Sequence, residues 1–234
     1  MDHAHSKGKH VLAGGTLRLS AAVARAVAFM MALGISLVVA APLAWANDSA
    51  VQPASGSSKI AILCTNDVHC SVDGGDSSIG YAGVAAAVSQ ARIDFGTNNV
   101  TLVDAGDAIQ GTALGTLSKG GYLTDIMNKV GYDIAVPGNH EFDYGIARLQ
   151  ELVGSSKATY LSCNFDDLST SSTVFSPYKI VEYGTVKVAY VGVSTPETLT
   201  KSSPTNFKKS DGTFAYGFCE DATGAALYSR VQST

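Results

Sequence analysis

The sequence predicts an α/β fold around a largely parallel sheet, and three observations carry that prediction. From residue 59 onward, short apolar runs alternate with segments whose apolar positions recur at helical spacing. Glycine closes a helical segment at Gly131, before the next apolar run begins. Three of the apolar runs also end in clusters of carboxylate, amide and imidazole side chains. Strands alternating with helices stack into a parallel sheet, and ligands in such sheets bind beyond the carboxyl ends of the strands.

The elements follow in order. The first 46 residues read as a leader. Arg18 and Arg25 precede an apolar stretch from Ala26 to Ala41, then Pro42 and "AWA". That is the order of a secretory signal peptide, cut after Ala46, and the apolar stretch is shorter than the ~18 residues of a membrane span. The expected location is therefore outside the cytoplasm: periplasmic, extracellular or at the cell surface, with membrane contact only during export. Residues 47–58, "NDSAVQPASGSS", are small, polar and aperiodic, as a flexible tether is.

"KIAILCTND" (59–67) is the first strand, and "AGVAAAVSQARIDF" (82–95) has helical spacing. "NVTLVDAGD" (99–107) is a second strand. "GGYLTDIMNKVGYDIAVPGNHEFD" (120–143) runs helix, glycine stop, strand and polar loop. "GIARLQELVGSSKATYLSCNF" (145–165) repeats helix and strand. "SPYKIVEYGTVKVAYVGVSTPE" (176–197) changes to two β-rich runs meeting at "YGT", a hairpin signal. "CEDATGAALYSRVQST" (219–234) opens as a helix would, with Asp221 or Thr223 as cap, and runs out without a C-cap glycine. The expectation is that this sequence is the N-terminal part of a longer protein.

Charge narrows the partners. Without Lys7, Lys9, Arg18, Arg25 and Asp2 of the leader, the chain's 16 basic and 20 acidic side chains fall to 12 and 19, a formal charge of −7. An acidic surface repels a polyphosphate backbone, so a nucleic-acid polymer is excluded as partner, while a small anion held through bound cations is not. Four cysteines remain: Cys64, Cys70, Cys163 and Cys219. They allow at most two disulfides in three connectivities, and Cys64 and Cys163 sit in apolar runs as small buried hydrophobes do. "CTNDVHC" lacks the paired C-x2-C spacing of structural zinc. Cys70 beside His69 has no third group to make a thiol nucleophile.

Chemistry concentrates at three successive strand ends. "NDVH" supplies Asp67 and His69; "DAGD" supplies Asp104 and Asp107; "GNHEFD" supplies Asn139, His140 and Asp143. Imidazole and carboxylate oxygens together suit divalent zinc, manganese, cobalt or iron. Past the leader there are two histidines, His69 and His140, and both fall in these motifs.

The series "TNDVH", "DAGDAIQGT" and "GNHEFDYG", with "YGTVKVAYVGVSTPET" after it, resembles secreted bacterial 5'-nucleotidases and UDP-sugar hydrolases of the calcineurin-like metallophosphoesterases. The resemblance spans roughly Lys59 to Thr200. It implies a layered α/β/α fold, a sheet sandwich flanked by helices, which this chain carries incompletely. Residues 59–234 would be the N-terminal metal-bearing domain, without the C-terminal domain that binds the substrate's base. It further implies two divalent metal ions, one held by Asp67, His69 and Asp107, the other by the shared Asp107 and by Asn139. His140 would stand beside the phosphate with Asp143 orienting it, Asp104 would lie behind the ligands, and Glu141 would face solvent. The implied reaction is hydrolysis of a small nucleotide or nucleotide sugar by metal-activated water. Later histidine motifs of the family are lacking, so the second ion is short of ligands and this chain alone is expected to be inactive or nearly so. A 2',3'-cyclic phosphodiesterase, a sulfur-ester hydrolase and a non-catalytic surface binding module share the same motifs.

Overall fold

The computed structural model describes residues 59–75, 78–219 and 223–234; the expected leader and tether lie outside them. Four parallel strands form the central sheet in the order β1 (Ala61–Thr65), β2 (Val100–Asp104), β3 (Ile134–Ala135) and β4 (Thr159–Tyr160). Helices α1 (Gly80–Phe95), α2 (Ala113–Ser118), α3 (Gly121–Val130) and α4 (Ile146–Ser155) fill the connections. Each long helix buries one face at the expected spacing. Tyr81, Val84 and Val88 are buried on α1, Leu123 and Met127 on α3, and Ile146, Leu149 and Leu152 on α4. Gly131 ends α3 in the left-handed conformation, its N–H on the Met127 carbonyl.

Register decides where the loops emerge. Thr65 pairs with Asp104, Asp104 with Ala135, and Ala135 with Tyr160. The strands therefore finish in one row, and the loops after β1, β2 and β3 leave the sheet side by side.

The expected hairpin is present as β7 (Tyr178–Tyr183) and β8 (Val186–Val191), closed by a two-residue loop with Gly184 at φ 62°. It packs on the sheet face opposite the helices. Leu102 joins the core with Val84, Val88 and Met127, and its neighbour Thr101, pointing the other way, hydrogen-bonds the Tyr183 hydroxyl. Lys179 Nζ donates to the Asp133 carbonyl (3.3 Å) and to Thr159 Oγ1 (3.0 Å).

Two features differ from expectation. An antiparallel sheet of β6 (Ser172–Thr173), β5 (Phe165–Asp167) and β9 (Tyr216–Phe218) adds to the fold. Its strands are too short to leave a period in the sequence. Cys64, expected to be buried, is exposed. It shares the alternate face of β1 with exposed Ile62, and β1 is an edge strand of the sheet. All four cysteines are free thiols. A short helix α5 (Thr198–Lys201) and α6 (Ala225–Ser233) complete the described elements, and the Ala225 N–H donates to Thr223 Oγ1.

Candidate metal centre

The loop after β1 lies along the loop after β2 as a continuation of their ladder. Asp67 N donates to the Gly106 carbonyl (3.0 Å), His69 N to that of Asp107 (2.9 Å) and Cys70 N to that of Ala108 (3.1 Å). To do so, Asp67, His69, Cys70 and Asp107 take left-handed φ values of 50°, 45°, 60° and 59°. Such conformations cost roughly 1 kcal/mol or more each for residues with a side chain, and they gather at functional sites.

The third loop closes on the second at two glycines. A Cβ on Gly138 would lie 2.4 Å from Asp107 Oδ1, and one on Gly106 would lie 2.5 Å from the Gly138 nitrogen. No larger residue leaves room for this approach. It brings the His140 N–H to Asp107 Oδ1 at 2.8 Å.

The side chains then converge. Among the described residues, His69, Asp107 and His140 each offer one ligand atom, all within 4.8 Å of one another. The His69 and His140 rings meet edge-on with centroids 5.0 Å apart. Asp67 Oδ1 stands 3.8 Å from His69 Nε2. Asp67, Asp107 and Asn139 line one cavity of about 260 Å³ together with Gly138, Val193 and Thr195. The loop after the hairpin thus forms a wall of the site.

Hydrogen bonds set the imidazoles. His69 Nδ1 lies 3.2 Å from the Gln110 carbonyl, which can only accept, so Nδ1 is the donor of this contact and Nε2 is the nitrogen left for the site. His140 Nδ1 lies 2.7 Å from Asp143 Oδ2, and Asp143 Oδ1 accepts from the Ser202 hydroxyl at 2.9 Å. Burial opposes the His140 imidazolium, but the Asp143 hydrogen bond and the charges of Asp143, Asp107 and Glu141 outweigh it and raise the pKa. With Asp143 as acceptor of Nδ1–H, Nε2 is the nitrogen left for the site. Outward-facing oxygen and imidazole nitrogen atoms, with acceptors behind the two imidazoles and a donor on Asp107, are what a divalent transition metal requires.

Glu141 corrects the sequence reading. It does not face solvent: it is 1% exposed. Its Oε2 accepts the N–H groups of Asp107 and Gly138, both at 2.8 Å, and its Oε1 those of Ala108 (2.8 Å) and Ile109 (3.4 Å). Burial raises its pKa against the pull of these donors. The signal was present in the sequence as an unanswered question. The run "GDAI" presents consecutive N–H groups in a loop with no acceptor assigned, and buried N–H groups are nearly always paired.

Asp104 lies beneath the ligands at 2% exposure. Thr65 Oγ1 donates to its Oδ1 (2.9 Å) and Gly106 N to its Oδ2 (3.2 Å). Burial first, then the charges of Glu141 and Asp107, push its pKa up to about 8. The unfolded value is about 3.9, so the folded chain keeps a proton that the unfolded chain releases. The stabilisation is complete below pH ~4 and is lost as pH rises towards 8, on the order of 1 kcal/mol per unit. Asp104→Asn can still accept from Gly106 and donates to Thr65. In metal-free protein its urea-unfolding free energy is expected to be flatter than wild type between pH 5 and 8; parallel curves would refute this.

Comparisons with known proteins give the chain's family. The family model described as Calcineurin-like phosphoesterase matches residues 60–221. Snake venom 5'-nucleotidase of Gloydius brevicauda is 36% identical over 169 residues, covering 67% of this chain and 29% of the relative. The 5'-nucleotidase of Homo sapiens is 37% identical over 168 residues, covering 65% and 29%. The Haemophilus influenzae NAD nucleotidase structure superposes with a TM-score of 0.59 at 26% identity, over 74% of this chain and 31% of that one. The chain spans under a third of the length of these relatives. It belongs to the calcineurin-like phosphoesterase family.

Proposed function

We propose that this chain is the metal-bearing portion of a metal-dependent phosphohydrolase of small nucleotides, of the 5'-nucleotidase or UDP-sugar hydrolase type. The observation that carries the reading is the convergence of Asp67, His69, Asp107, Asn139 and His140 from three adjacent strand ends. The relatives named 5'-nucleotidase support the substrate class. The leader-like pattern of residues 1–46 and a venom protein among the relatives support export.

Asp67, His69 and Asp107 would hold one divalent ion, and Asp107 with Asn139 a second, each of the zinc, manganese, cobalt or iron type. Bound ions supply an acidified water and neutralise phosphoryl charge. The chain's own residues do the rest. His140 presents Nε2 to a phosphoryl or leaving-group oxygen, where a positioned donor stabilises charge that grows during the reaction. Asp143 keeps Nδ1 protonated and the ring in place, itself held by Ser202. No serine or cysteine nucleophile is required.

Catalytic metals usually take about three protein ligands, and on this reading the second ion would have only Asp107 and Asn139 among the described residues. This chain by itself is therefore expected to take up metal but to release phosphate from AMP or UDP-glucose near background, with manganese or zinc added. Turnover on the order of 10 s⁻¹, lost in His140→Ala, would overturn the ligand shortage and keep the hydrolase reading. Failure to take up any divalent metal at micromolar concentration would overturn the hydrolase reading itself.

A further inference from the structure

We infer that Glu141 is a positioning residue that clasps the two ligand-bearing loops together and sets the placement of Asp107 and Asn139. The inference rests on the reading of those two residues as metal ligands.

Its carboxylate reaches across from the third loop to the second. Three consecutive N–H groups, those of Asp107, Ala108 and Ile109, and the N–H of Gly138 fill all four of its acceptor positions. Oε2 is the key atom, because its two donors belong to different loops: Asp107 follows β2 and Gly138 follows β3. Consecutive N–H groups turn towards one anion when the backbone passes through a left-handed residue, and Asp107 is that residue, at φ 59°. Glu141 therefore holds in place the conformation that aims Asp107.

The clasp is reciprocal. While the Glu141 carboxylate binds the backbone of the Asp107 loop, Asp107 Oδ1 binds the backbone N–H of His140 at 2.8 Å. Each loop gives one carboxylate to the other's main chain. Asn139 lies between Gly138 and His140, the two residues whose N–H groups are so held, and has little freedom to move away. A glutamine at 141 replaces one acceptor oxygen by an N–H₂ group facing N–H donors, so the isosteric change is not a conservative one.

The test uses the full chain as wild type, Glu141→Gln and Glu141→Ala, with Val88→Ala on α1 as a destabilised control away from the site. The first readout is amide hydrogen exchange without metal. In wild type the amides of Asp107, Ala108 and Gly138 are expected to be protected. In Glu141→Gln they should exchange about tenfold faster or more, with α3 unchanged. The second readout is manganese titration. Affinity should fall about 10–100-fold in both Glu141 variants, the range for residues that support ligands, and stay at the wild-type value in Val88→Ala. Wild-type amides as labile as exposed loop amides would overturn the proposal, and so would a manganese affinity in Glu141→Gln equal to that of the control. If Glu141→Ala does not fold, Glu141→Gln decides, and the wild-type exchange stands independently. If wild type takes up no manganese, the metal reading fails while the exchange result still decides the clasp.

Discussion

Asp107→Ala is expected to lose divalent-metal uptake, with affinity falling by about 100-fold or more, beyond the usual loss for residues that merely support ligands. Asp107 stands where the loops meet. One of its oxygens lies in the group formed with His69 and His140, its Oδ1 anchors the His140 N–H, and it lines the same cavity as Asn139. Alanine removes the charge, the ligand and the anchor together. It also leaves a Cβ at φ 59° without the polar side chain that makes this conformation tolerable. Asp107→Gly separates the two effects, since glycine accepts that φ at no steric cost. It should keep or regain stability relative to alanine while binding metal no better. Elemental analysis after dialysis, with calorimetric titration of manganese, measures both variants. Wild-type uptake in either would remove Asp107 from the site.

Phe142→Ala is expected to destabilise the chain by about 3–5 kcal/mol, the range for truncating a buried phenylalanine. The ring is 0% exposed. It packs against Phe165 (4.9 Å between centroids), Phe207 (5.3 Å) and Phe218 (5.8 Å), so it ties the loop after β3 to the small antiparallel sheet and to the Pro204–Phe207 turn. Asn206 Nδ2 also donates to the Phe142 carbonyl at 2.8 Å. The side chain is thus the hydrophobic root of the segment that carries His140 and Asp143. Urea unfolding of wild type and variant reads the difference. A change under about 1 kcal/mol would mean that the cluster relaxes around the gap.

Much of this was legible from residue order. The strands at 59–67, 99–107 and around 134, the helices between them and the hairpin at 176–197 all announce themselves by period and by glycine. Those signals arise from burial of one face, which single-sequence patterns record well. The candidate site residues were legible as types at strand ends, because parallel topology itself gathers such ends. Glu141 was legible only indirectly, through the N–H groups of "GDAI" that lack an acceptor, since a carboxylate looks like a surface residue until the donors it meets are known. The three-stranded sheet was not legible: strands of two or three residues such as Ser172–Thr173 exist only through their partners. Cys64 misled because its neighbours are apolar, whereas its exposure depends on what covers the edge of the sheet.

The level finish of Thr65, Asp104, Ala135 and Tyr160 makes the sheet a ruler. Neighbouring strands sit about 4.8 Å apart because main-chain hydrogen bonds fix that spacing, so the gaps between donor groups are inherited from the backbone and not from any side chain. Residues could be inserted on the helical side, far from the chemistry, without altering those intervals. A slip of one position in any strand pairing would instead put one loop out of step with the others.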